Sequence, residues 1–127
     1  YPAANLKLFD LIKKKNFSYS KNILQKDCHL SRFAIFSNTS AGVEAVNNGL
    51  ITIWADLTTI NLSPLTEKQK NFFFPSYNFE SFKKNIHKVS KLKKKEFTEQ
   101  YKKQLTISQN IYSNLNIKNI RYILRKK

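Results

Sequence analysis

Apolar residues recur along this chain with two spacings, and the change from one to the other marks its elements. Leu8, Leu11 and Ile12 share a helical face over residues 5–15, with Asn5 as N-cap and Lys13 to Lys15 at the end where the helix dipole favours cations. A short strand is expected at Phe17–Lys21, then a brief helix over residues 23–31 leading into the compact apolar run Arg32–Phe36. Thr66 and Gln69 stand at capping-box spacing and open a short helix, and the run Phe72, Phe73, Phe74 before Pro75 allows a short strand. Phe79, Phe82, Ile86, Val89 and Leu92 then form one helical stripe, with Lys83, Lys84, Lys88 and Lys91 mostly off it. A further helix over residues 95–112 carries Phe97, Tyr101, Leu105 and Ile111, and a last one carries Ile117, Ile120 and Leu124.

The clearest unit lies between residues 32 and 54. An apolar strand, the polar loop Ser37 to Thr39, a helix over residues 40–48, Gly49 and the apolar strand Leu50–Trp54 make a βαβ unit, whose crossover is right-handed and whose strands run parallel. Strands that are apolar throughout, rather than alternately, belong to a sheet covered on both faces. The expected fold class is therefore α/β: a Rossmann-like parallel sheet flanked by helices, with helices at the C-terminus. Nothing divides residues 1–127 into two domains, and residues 93–127 read as basic C-terminal helices.

Charge changes this picture in one respect. The net charge is +15, but residues 1–63 contribute only +3 and residues 64–127 contribute +12. That field suits anionic partners: nucleic acid, an anionic membrane surface or phosphorylated substrates. Part of it reflects a general richness in Lys, Asn and Ile. Apolar residues at 41% supply enough core material to fold beneath the charge. No apolar run reaches the ~20 residues of a membrane span, and no secretion signal opens the chain, so a cytoplasmic location is expected. The single cysteine, Cys28, has no partner for a disulfide or a CxxC site and is expected to fill core.

The chain has two glycines, Gly42 and Gly49, one at each end of the same short helix. Gly49 follows Asn47 and Asn48, where a left-handed residue ends a helix. Gly42 lies in the first turn, where glycine costs stability, so something is expected to approach its backbone closely. Thr39 and Ser40 place hydroxyls beside the free amides and positive dipole of the same turn, a combination that holds phosphate. Glu44 is four residues past Ser40 and one too far for a capping box, so a ribose-binding role suits it better.

The segment Ser37 to Gly49, followed by an apolar strand, resembles the donor-site signature of GT-B-type bacterial glycosyltransferases that build capsule and lipopolysaccharide, including sialyltransferase-like enzymes. Tyr1 and Pro2 stand where several of these enzymes carry a His-Pro pair. The resemblance implies a domain that binds a CMP- or UDP-linked nucleotide sugar. Its donor phosphate would be held by Asn38, Thr39, Ser40 and Gly42, and its ribose by Glu44. It further implies a fragment of a two-domain enzyme whose N-terminal half supplies the general base, a glycan or lipid-linked acceptor, and work at the inner face of the membrane. No metal or other cofactor is called for, and no catalytic residue is assigned within this chain.

Two other functions remain open on the sequence. A basic nucleic-acid-binding module would use the positive second half with Phe72, Phe73, Tyr77 and Tyr101. A nucleotide-sugar epimerase would use the same fold for different chemistry. Walker, GxSxG, HExxH and zinc-spacing motifs are missing, and His29 and His87 lack metal or triad spacing. Ser18, Ser20 and Lys21 read as a polar strand end, and the lysine runs as solvated faces.

Overall fold

The computed structural model describes residues 18, 20–56 and 63–113. The helix expected over residues 5–15 and the last helix at Ile117 to Leu124 lie outside them, and Ser18, Ser20 and Lys21 stand in no strand. The described elements are α1 (Leu24–Leu30), β1 (Phe33–Phe36), α2 (Ala41–Asn47), β2 (Ile51–Trp54), α3 (Glu67–Lys70) with a 3-10 turn (Asn71–Phe73), α4 (Phe79–Ser90) and α5 (Lys94–Ser113). The chain is thus an α/β protein with a small parallel sheet, and the expected βαβ unit forms within one residue of its predicted limits at each end.

β1 and β2 pair in parallel with Phe33 opposite Ile51 and Phe36 opposite Trp54. A single residue of a third line follows: Ser76 N–H donates to Trp54 O at 2.9 Å, and Asp56 N–H donates to Ser76 O at 2.8 Å. β2 is buried along its whole length, whereas Ile35 of β1 is 47% exposed.

The helices cover the sheet from both faces. Phe36 and Trp54 point to one face, where they join Val43 and Val46 of α2, Leu65 and Phe73, with Leu105, Ile107 and Ile111 of α5 alongside. Cys28 and Leu24 of α1 extend this layer through Ala34, Ala45 and Leu50. Ile51 and Ile53 point to the other face and meet Phe74, Val89 and the half-buried Ile86, Leu92 and Phe97. Arg32 donates to Leu92 O at 3.2 Å and ties the start of β1 to the end of α4.

Local chemistry sets the boundaries. Gly49 has φ +96°, its N–H bonds Val46 O, and Leu50 N–H bonds Ala45 O at 3.1 Å, a Schellman ending that only a left-handed residue permits. Thr66 and Gln69 close the expected capping box on α3, and Asn78 with Ser81 closes another on α4.

The triple phenylalanine forms no strand. Phe72 ends partly exposed, Phe73 enters the core on the α2 face, and Phe74 enters the core on the α4 face. Successive rings can reach opposite faces because Phe74 turns left-handed, at φ 49° and ψ 62°. That conformation costs about 1–2 kcal/mol for a residue with a Cβ, comparable to what burying a ring recovers. Asn85 of α4 fixes the turn: its Nδ2 lies 3.0 Å from each of Phe74 O, Pro75 O and Ser76 Oγ.

α5 lies along the free edge of β2 and is attached by polar groups. The Gln104 side-chain amide mimics a neighbouring strand: Thr52 N–H donates to its Oε1 at 2.9 Å, and its Nε2 donates to Thr52 O at 2.9 Å and to Phe72 O at 3.0 Å. Tyr101 donates its hydroxyl to Val46 O at 3.0 Å. Ser108 donates to Val43 O at 2.9 Å and meets the Asn47 side chain at 2.8 Å. Gln104 and Ser108 are completely buried, whereas Leu105 and Ile111 are only half-buried. The apolar stripe read from the sequence therefore flanks the contact, and the seam itself is polar.

Candidate functional site

The parallel pairing places the loop between β1 and α2 at the carboxyl edge of the sheet, where ligands bind in open α/β folds. The loop is held by its own atoms. Thr39 N–H donates to Ser37 O at 2.9 Å, and Ala41 N–H donates to Thr39 Oγ1 at 3.2 Å. Val43 and Glu44 both donate their N–H to Ser40 O at 3.0 Å. Ser40 stands at the N-cap in helical conformation, and its side chain makes no capping bond. Thr39 thus performs the capping, while the Ser40 hydroxyl is exposed to solvent.

Of the five residues predicted to hold a donor, Asn38, Thr39 and Ser40 are contiguous in this loop, and Glu44 is exposed one turn along α2. Gly42 is different, being buried beneath a ring. A Cβ built there would stand 2.0 to 2.3 Å from ring atoms of Phe36. The close approach expected at this glycine is thus made by Phe36, and the missing side chain lets the first turn of α2 lie against the end of β1.

Two buried polar atoms at this edge lack hydrogen-bond partners among the described residues: Ser37 Oγ, one residue past β1, and Trp54 Nε1, in the last residue of β2. Buried polar groups in folded proteins are nearly always satisfied, so such atoms call for an explanation. Lys70 is buried as well, with its ammonium 4.3 Å from the Trp54 ring centre and paired with Glu67. By sequence Ser37 is loop and Trp54 ends an apolar strand. Only the register of the two strands brings both to one edge.

Electrostatics around α1 and α2 are mild. Burial, and then the charges of Asp27 and Glu44, push the Cys28 thiol upward, so it stays protonated and fills core as expected. The Asp27 carboxyl is held below its ordinary value by hydrogen bonds from Ser20 Oγ at 2.7 Å and Asn22 Nδ2 at 2.9 Å, with a smaller contribution from Lys26. Ser20 is therefore engaged in tying the lead-in segment to α1. His29 and His87 each lie exposed in the last turn of a helix.

The aromatic residues considered for nucleic acid separate. Phe73 is buried in the core and Tyr101 is half-buried with its hydroxyl on Val46, so neither presents a stacking face. Phe72 and Tyr77 are 41% and 55% exposed. Among the described residues no helix is long and apolar enough to cross a membrane.

No family model matches the chain, and no curated protein or solved structure shows significant similarity to it. Its class is thus defined by its architecture: an α/β protein with a parallel βαβ unit and a hydroxyl-bearing loop at the carboxyl edge of its sheet.

Proposed function

We propose that this chain is the nucleotide-sugar-binding domain of a GT-B-type bacterial glycosyltransferase, with β1 and β2 belonging to a larger Rossmann-like parallel sheet. The observation that carries this reading is the buried Ser37 Oγ at the carboxyl end of β1, without a hydrogen-bond partner among the described residues, in the loop that exposes the hydroxyls of Thr39 and Ser40. In the bound state the loop hydroxyls, with the amides that open α2, hold the donor phosphates, and Glu44 accepts hydrogen bonds from the ribose. Asn38 lines the same loop. Gly42 contributes by keeping the turn close to β1.

The chemistry is transfer of the sugar to a glycan or lipid-linked acceptor as the nucleotide leaves. This domain lowers the barrier by stabilising the developing phosphate charge with fixed dipoles. The N-terminal half of the enzyme supplies the base that activates the acceptor. The lysine-rich helices suit a peripheral position at the anionic inner face of the membrane.

Calorimetric titration with CMP, UDP, GDP and their sugars tests the reading. One nucleotide family is expected to bind, with Ser40→Ala and Glu44→Ala each weakening it about 5- to 30-fold through loss of a hydrogen bond to a charged or polar ligand group. A folded protein that binds none of these ligands overturns the proposal.

A further inference from the structure

A second depression lies away from the sheet edge, between the 3-10 turn, α4 and α5. It measures about 480 Å³, within the range of small-molecule sites, and Phe72, Phe74, Asn85, Lys88, Gln100 and Lys103 line it. α4 presents Asn85 and Lys88 to this cleft, and α5 presents Gln100 and Lys103, three residues apart in each helix and so on one face.

The walls are preorganised on one side and unsatisfied on the other. Asn85 is pinned by its three contacts to Phe74, Pro75 and Ser76, and the Lys88 ammonium lies 5.6 Å from the centre of the buried Phe74 ring. Neither Lys88 nor Lys103 forms an ion pair among the described residues. The Gln100 side-chain amide makes no hydrogen bond among them either. Phe72 is partly exposed and lines the same cleft. The backbone between Phe72 and Asn85 contains Phe74, the one described non-glycine residue with positive φ.

We infer that this cleft binds a phosphomonoester carried on a ring, with Lys88 and Lys103 holding the phosphate, the Gln100 amide donating to it and Phe72 covering the ring. Two ammonium groups match the charge of a phosphate dianion. The aromatic edge at the rim accepts either a nucleobase or the apolar face of a sugar, and these are the two sources the test separates. The site is independent of the loop at Ser37 to Ser40, so either can fail without the other.

The test follows the side-chain amide resonances of Asn85 and Gln100 in labelled protein during titration with inorganic phosphate, CMP, AMP, glucose 6-phosphate and a short oligothymidylate. Saturable shifts at both amides are expected with phosphate, and tighter binding with the ring-bearing phosphates. Lys88→Gln with Lys103→Gln should weaken them about tenfold, as loss of two partly exposed ion pairs implies. Phe72→Ala should reduce the ring-bearing compounds to the affinity of phosphate alone. Tighter binding of the nucleotides than of glucose 6-phosphate identifies the ring as a base, and the reverse order identifies a sugar. Lys83→Gln with Lys102→Gln, which line other surfaces of α4 and α5, should change nothing. The proposal is overturned by unmoved Asn85 and Gln100 resonances, by shifts confined to Ser37–Ser40, or by equal weakening in both lysine pairs. Equal weakening would mean diffuse attraction of any polyanion to the basic helices, and oligothymidylate would then bind best.

Discussion

β2 is enclosed on two sides by opposite means. Towards β1 and α2 the packing depends on a side chain that is missing, because the Phe36 ring occupies the place where residue 42 would carry a Cβ. Towards α5 it depends on a side chain that is long and polar, because Gln104 reaches in and bonds both the N–H and the C=O of Thr52. The first contact is made by shape and the second by satisfied hydrogen bonds. A buried strand edge left open would carry unpaired backbone groups, and a helix has none of its own to offer, so one glutamine amide takes the place of a neighbouring strand.

The largest effect is expected where the polar contact is broken. Gln104→Leu keeps the approximate volume but leaves Thr52 N–H, Thr52 O and Phe72 O without the amide, and should cost about 3–5 kcal/mol in denaturant unfolding. A loss below 1 kcal/mol would mean that water replaces the amide and that the edge is not sealed.

Next comes the shape contact. Gly42→Ala drives a methyl into the Phe36 ring and should cost about 1–3 kcal/mol by overpacking. Phe36→Leu in the same chain should recover part of that loss, since the two positions share one contact and are not additive. If Gly42→Ala is neutral to stability and weakens only ligand binding, the glycine serves the ligand and not the strand.

The smallest effect concerns acid stability at α1. The folded-state carboxyl of Asp27 is held below 3.8, so its hydrogen bonds with Ser20 and Asn22 stabilise the fold above that pH. Their contribution disappears as the pH falls through the lower folded-state value. Asp27→Asn should flatten this part of the stability profile in thermal melts, and an unchanged acid profile would remove Asp27 from the account.

The same comparison shows how much of the fold and site could be read from the residues. The βαβ unit was legible because both its strands are short apolar runs, and because Gly49 can only be an ending. Thr39, Ser40 and Glu44 were legible as candidates because their spacing places them on one turn. The cause of Gly42 was not legible, since a ligand and a phenylalanine ring require the same absence of a Cβ. The polar seam of α5 was hidden for a different reason: Gln104 and Ser108 look like solvent-facing residues until Thr52 is known to have no strand partner on that side among the described residues. The turn at Phe74 was hidden for a third reason, because successive aromatic residues also allow a strand, and only the left-handed backbone sends them to opposite cores.

The sequence by itself determined the local elements of this protein: helix caps, the capping box at Thr66 among them, the parallel βαβ unit and the excess of positive charge in its second half. These follow from interactions within a few residues, or from composition alone. The tertiary structure alone decided which of those features meet. It set Phe36 over Gly42, closed β2 with an amide from a residue 52 positions away, and brought Lys88 and Lys103 to the walls of one cleft. Contacts of that kind depend on the packing of whole elements, and no local pattern records which neighbour an edge, a ring or a charge will find.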